Sequence, residues 1–149
     1  MTIQELEKKY YFHDSSITNI DYSKEQEKLD ILIVFCYWAQ EWYKEGDPEL
    51  MDIKLSFEGI KDYDGIAGDI DYFSILDGDI KNDKYHLLIE DGFHQEYFEY
   101  FLEPTNVEVE ILRIYNEWWY KITFNVKLNG VVISTTPFFK YRFLALNGP

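Results

Sequence analysis

Along much of the chain apolar and polar residues alternate with a period of two, the mark of strands that bury one face. The clearest stretch is 51–58. Met51, Ile53, Leu55 and Phe57 take one face there, and Asp52, Lys54, Ser56 and Glu58 take the other. That predicts an antiparallel strand with one face toward water. Residues 29–38 (LDILIVFCYW) are apolar on both faces, Leu29, Ile31, Ile33 and Phe35 opposing Leu32, Val34, Cys36 and Trp38. Such a strand is expected at the centre of a sheet, covered above and below. A polar turn at 23–28 joins it to a strand at 16–22, which is hairpin spacing.

The flanking segments follow from local chemistry. Residues 2–11 are helix formers with Ile3, Leu6 and Tyr10 on one face, and Thr2 and Glu5 stand at capping-box spacing. A short helix is expected, broken at Asp14 and Ser15. Residues 40–50 contain Gly46, Asp47 and Pro48 and read as a loop. Over 59–83 the alternation dissolves into Asp and Gly, which reads as solvated acidic turns. Tyr85, Leu87 and Ile89 restart it. Phe93, Tyr97 and Phe101 would fit a helix face, but Asp91-Gly92 signals a hairpin and aromatics favour strands, so 93–102 is read as strand.

Toward the C-terminus, Val107, Val109 and Ile111 alternate with Glu108 and Glu110, and a longer alternation runs over 118–128. Asn129-Gly130 supplies the two positive-φ residues of a type I′ turn, setting Leu128 opposite Val131 and Val126 opposite Ile133. No linker or repeat interrupts the chain. The expectation is one domain over residues 1–149, mainly β or α+β: an antiparallel curved sheet or sandwich with a short N-terminal helix.

Charge narrows the partners. The chain has 28 Asp and Glu against 14 Lys and Arg, a formal net charge of -14. Such a surface repels phosphate backbones and anionic lipids, so nucleic acid and membrane are not expected partners. Plain solubility is the first reading of such a charge, and attraction of a basic protein, a cation or a cationic ligand is the second. The aromatic fraction of 19% serves a sheet core first and a binding surface second. Cys36, the only cysteine, sits in the most apolar run, so an inert buried thiol is expected and no disulfide within the chain. The first residues lack a basic segment followed by an apolar one, and no apolar run reaches spanning length; the expected location is cytoplasmic.

Candidate chemistry is sparse. Asp62, Asp64, Asp69, Asp71, Asp77, Asp79 and Asp83 crowd one stretch, yet a calcium loop counted from Asp62 puts Ile66 and Phe73 where oxygen ligands belong. No metal or cofactor is expected. His13, Asp14 and Ser15 are the residue types of a hydrolase triad, but consecutive residues diverge and no G-x-S-x-G surrounds a serine. A hydrolase using His13 and Asp14 is therefore a third choice, behind a backbone-bonding role for the segment. The preferred binding residues are Trp42 and Tyr43 with Glu41 and Glu45 in the loop 41–49. Trp119 joins them on a second face, near Glu108 and Glu110 if those strands pair.

The segment YYFHDSSITNI, a polar turn and then LDILIVFCYW resembles the opening of small bacterial families with an F-H-D-[SA]-x-[IV] signature. Some members of these families are described as immunity proteins of polymorphic toxin systems. The resemblance spans residues 11–38, with His13 and Asp14 matching the signature. It implies a mainly β protein that neutralises a toxin by binding it. The expected function is thus a non-catalytic binding protein for a basic toxin domain. A small-ligand protein with an aromatic-lined pocket is the alternative.

Overall fold

The computed structural model describes residues 1–115 in full, and beyond them only the backbone of 119–121, 124–128, 131–135 and 138–140. Helix α1 (Ile3–Lys9) precedes β1 (Ser16–Ser23), β2 (Lys28–Cys36) and a 3-10 turn (Tyr37–Ala39). β3 (Leu50–Glu58), β4 (Gly68–Lys81), β5 (Lys84–Asp91), β6 (Glu96–Leu102) and β7 (Asn106–Tyr115) follow. These seven strands form one antiparallel sheet in the order β6-β5-β4-β1-β2-β3-β7. The architecture is the strand-rich antiparallel one expected from the alternation, and it is a single curved sheet.

Chain connectivity forces the curvature. β6 and β7 are the two edges, and laid flat they would stand about 29 Å apart, six strand spacings. Residues 103–105 alone join them, and that link reaches only about 15 Å. The sheet must therefore curl until its edges approach. Phe57 on β3 and Tyr85 on β5 accordingly meet with ring centroids 5.5 Å apart, although four strand positions separate them. The core fills the inside of the curl, with Ile17, Ile31, Ile33, Ile53, Leu55, Ile75, Leu87, Ile89 and Val107 among its buried members.

α1 has the expected capping box: Glu5 N–H donates to Thr2 Oγ1 at 3.1 Å and Thr2 N–H to Glu5 Oε2 at 3.3 Å. It ends at Tyr10, short of the expected Asp14 boundary. Leu6 is fully buried in the core. Ile80 N–H of β4 donates to the Glu7 carboxylate, while Met1 exchanges backbone hydrogen bonds with Val107 of β7. The helix thus bridges strands on opposite arms of the curl.

Several expectations need correction. Residues 59–83 are not acidic turns: β4 occupies most of them, and its alternation is masked by two irregularities. Between its β1 pairs Phe73↔Ile17 and Asp69↔Asn19 lie three residues of β4 against one of β1. Leu76 is a bulge between Ile75↔Ile89 and Asp77↔Leu88. The single extra residue at Leu76 reverses the facing of everything beyond it. β2 is central, but its second face is covered only near Val34 and Cys36; Leu32 is half-buried and Trp38 exposed. Ser56, expected in water, is buried and donates to Asp30 Oδ1 at 2.6 Å. Ile111 shares the face of its β3 partner Ile53 but is exposed on the edge strand, and a bulge at Leu112 then turns Arg113 outward beside Asp52.

Of residues 93–102, expected as strand, 96–102 form β6; 93–95 belong to a four-residue turn at 92–95, longer than the Asp91-Gly92 hairpin turn expected. In the C-terminal part, β8 (Trp119–Lys121) pairs with β11 (Phe138–Lys140), and β9 (Phe124–Leu128) with β10 (Val131–Thr135). Leu128↔Val131 and Val126↔Ile133 are partners, the register expected for a turn at Asn129-Gly130. Those two turn residues lie outside the described ones. Among the described residues, no helix is long and apolar enough to cross a membrane.

Candidate functional site: an aromatic groove beside Trp42

The inward faces of β2 and β3 end beside the loop that joins them, and an open groove forms there. Lys9 and Tyr10 from the end of α1, Phe35, Tyr37, Trp42, Met51, Ile53 and Ile111 line about 430 Å³. Its floor follows from strand alternation: Phe35, Met51 and Ile53 point inward, and Ile111 pairs with Ile53 across the sheet. The walls are aromatic. Tyr10 meets Phe35 edge-on at 5.6 Å, and Trp42 meets Tyr37 edge-on at 4.6 Å.

The loop is held in shape by polar contacts. Buried Gln40 accepts from Tyr11 N–H at 2.8 Å and donates to the Tyr11 and Cys36 carbonyls at 2.7 and 3.0 Å. It clamps the segment after α1 to the end of β2. Trp42 Nε1–H donates to the Lys9 carbonyl at 3.3 Å, which fixes the indole across the groove. Its side remains 43% exposed, and Ile111 is 54% exposed. Asp47 accepts from Lys44 N–H, and Tyr43 O–H donates to the Asp47 carbonyl. Burial, then the Asp47 carboxylate, push the Tyr37 phenol above its ordinary range.

The expected binding residues divide. Trp42 is an exposed anchor, Glu41 and Glu45 are exposed beside it, and Tyr43 is half-buried and tied into its own loop. The side chain of Trp119 lies outside the described residues. Among the described residues, the Trp119 strand pairs with β11, while Glu108 and Glu110 of β7 face Ser56 and Lys54 of β3, with Glu110 Oε2 3.1 Å from Lys54 Nζ. Tyr10, Tyr37 and Ile111 were not picked out from sequence. They come from three separate elements; Tyr37 belongs to the same connection as Trp42, whereas nothing in the chain order brings Tyr10 and Ile111 to it.

His13, Asp14 and Ser15 sit apart from each other in role. His13 Nδ1–H donates to the Leu76 carbonyl at 2.7 Å, and Asp14 N–H to the Ile75 carbonyl at 3.0 Å. Ser15 is fully buried, with Oγ accepting from Cys36 N–H at 3.1 Å. Asp14 has φ of 68°, a left-handed turn conformation that Asp tolerates. Together they tie the end of β2 to the β4 bulge. Buried Cys36 places Sγ 3.3 Å from the Asp14 carbonyl. Among the described residues, the side chains able to share a metal ion are Asp77, Asp79 and His86, elsewhere on the sheet. Compared with protein-family models, curated proteins and solved structures, the chain shows no significant match.

Proposed function

We propose that this chain is a non-catalytic binding protein that takes an apolar anchor of a basic protein partner into the Trp42 groove. The observation that carries the reading is the groove itself: an open aromatic site, held rigid by Gln40, in a chain of formal net charge -14. Aromatic anchors at a surface supply affinity, and net charge supplies approach. The toxin-neutralising role implied by the N-terminal resemblance is the particular form of this proposal.

The test is stopped-flow association with the protein encoded beside this chain's gene. Association should slow steeply as salt rises, with dissociation changing less. Trp42→Ala should cost about 2 kcal/mol of binding, about thirtyfold in Kd, with the fold intact. Wild-type affinity in that variant would remove the groove from the interface. The groove volume of about 430 Å³ also suits a small apolar ligand. Saturable quenching of Trp42 fluorescence by such a ligand, with no protein partner bound, would favour that alternative.

A further inference from the structure

The outward face of β4, β5 and β6 carries a cluster that the binding groove does not use. The bulge at Leu76 turns Asp77 and Asp79 away from the core, and Asp79 pairs across the sheet with His86. His86 is 1% exposed, with the Phe101 ring 4.9 Å away. Its Nδ1 lies 2.8 Å from Asp79 Oδ1 and its Nε2 lies 2.7 Å from Glu99 Oε2. One oxygen of Asp77, one of Asp79 and one ring nitrogen of His86 lie within 4.8 Å of one another.

We propose that Asp77, Asp79 and His86 form a binding site for a divalent transition ion of the zinc class. Nδ1 of His86 is the nitrogen ligand, and Glu99 orients the ring through Nε2.

Three observations carry this. The donor set mixes imidazole with carboxylate, which suits zinc better than calcium or magnesium. A ligating histidine characteristically donates its other N–H to a carboxylate, and Glu99 is already placed for that bond. Asp77 makes no hydrogen bond or ion pair among the described residues, although it stands beside a buried imidazole. Three carboxylates face one ring, so even a doubly protonated imidazole leaves the group two formal charges short. A divalent cation in place of the Nδ1 proton reduces that deficit. The nearby Lys84 is engaged with Glu103 at 3.2 Å.

The experiment uses tag-free full-length chain stripped with a chelator and titrated with zinc chloride by calorimetry, with calcium chloride in parallel. One zinc per chain should bind with a micromolar Kd or tighter, and calcium should not bind in that range. Cobalt(II) should give the visible absorption of a low-coordinate site. Asp77→Asn should weaken zinc at least tenfold, and Glu99→Gln about 10- to 100-fold, both with unchanged circular dichroism. His86→Gln should abolish binding; if it fails to fold, the two exposed-side variants still decide. His13→Gln and His94→Gln should bind zinc as wild type does. No saturable zinc binding, wild-type binding in both Asp77→Asn and Glu99→Gln, or loss in the His13 or His94 variants would each overturn the site.

Discussion

β2 and β3 pair over nine residues without a break, whereas β4 is interrupted against both of its neighbours. The two regions solve the same problem differently. In β2–β3, strict alternation sends every second side chain inward, so the core is assembled by period alone. In β4 the bulges reset the facing, and polar contacts from outside the strand hold the reset in place. His13 and Asp14 bond the carbonyls of Leu76 and Ile75, at the bulge itself. The regular region supplies core and groove; the interrupted one displays Asp77, Asp79 and His86.

The largest effect should come from the regular half. Phe57 is fully buried and meets Tyr85 across the curl. Phe57→Ala should cost about 3–5 kcal/mol by chemical denaturation, since the cavity would lie where two arms of the sheet meet. A cost near that of a surface substitution would mean that the curl does not close through this contact.

A smaller effect separates packing from polarity in β4. A Cβ at Gly78 would stand 2.5 Å from the Tyr85 hydroxyl oxygen, with the next atoms at 3.4 Å. The hydroxyl is buried and has no hydrogen-bond partner among the described residues. Gly78→Ala should cost about 1–3 kcal/mol by overpacking. Tyr85→Phe should stabilise by about 1 kcal/mol, because an unsatisfied polar atom leaves the core. Made together, the pair should recover most of the Gly78→Ala loss. Strict additivity in that cycle would show that the hydroxyl is not the obstacle.

These contrasts also mark what could be read from the sequence. The β2–β3 core, the capping box, β6 and the register of the C-terminal hairpin were legible, because each depends on local period or turn chemistry. β4 was not. Counting by twos from Ile75 sends Asp77 and Asp79 into the core, an absurd placement that favours reading turns instead. Only the bulge at Leu76 removes the conflict, and bulges leave little local signal. For the same reason His86 looked isolated. At the groove, Trp42 stood out as an aromatic in a polar loop, while Tyr10 and Ile111 reach it only through the packing of α1 and the pairing of β7 with β3.

His13 sharpens the comparison further. Its ring is partly exposed, yet Nδ1–H satisfies a bulge carbonyl. His13→Ala should cost about 1 kcal/mol, the net worth of one hydrogen bond. Hydrogen exchange should rise at β4 amides near Leu76 and stay unchanged in β2–β3. Equal exchange in both regions would make His13 a bystander.

The last and smallest contrast is read by pH, at the turn that closes β5. Asp91 is buried, and its carboxylate accepts from Phe93 and His94 amides at 3.0 and 3.1 Å and from His94 Nδ1 at 2.8 Å. Burial, the largest single influence, pushes its pKa up. The bonds from the His94 ring and the two amides, with the imidazole's charge, together outweigh burial and hold it below the ordinary 3.8. A depressed native-state pKa stabilises the fold fully above the unfolded-state value, and that contribution disappears as pH falls through the native one. Asp91→Asn keeps an oxygen for the amides but loses the charge and its bond to His94. Its melting temperature should lie below wild type from neutral pH down to the ordinary carboxylate range. Below that range the gap should close, because wild-type Asp91 is then protonated as well. A gap that stays constant through that range would show that Asp91 contributes by shape alone, leaving the β5–β6 turn no more acid-sensitive than the regular β2–β3 pair.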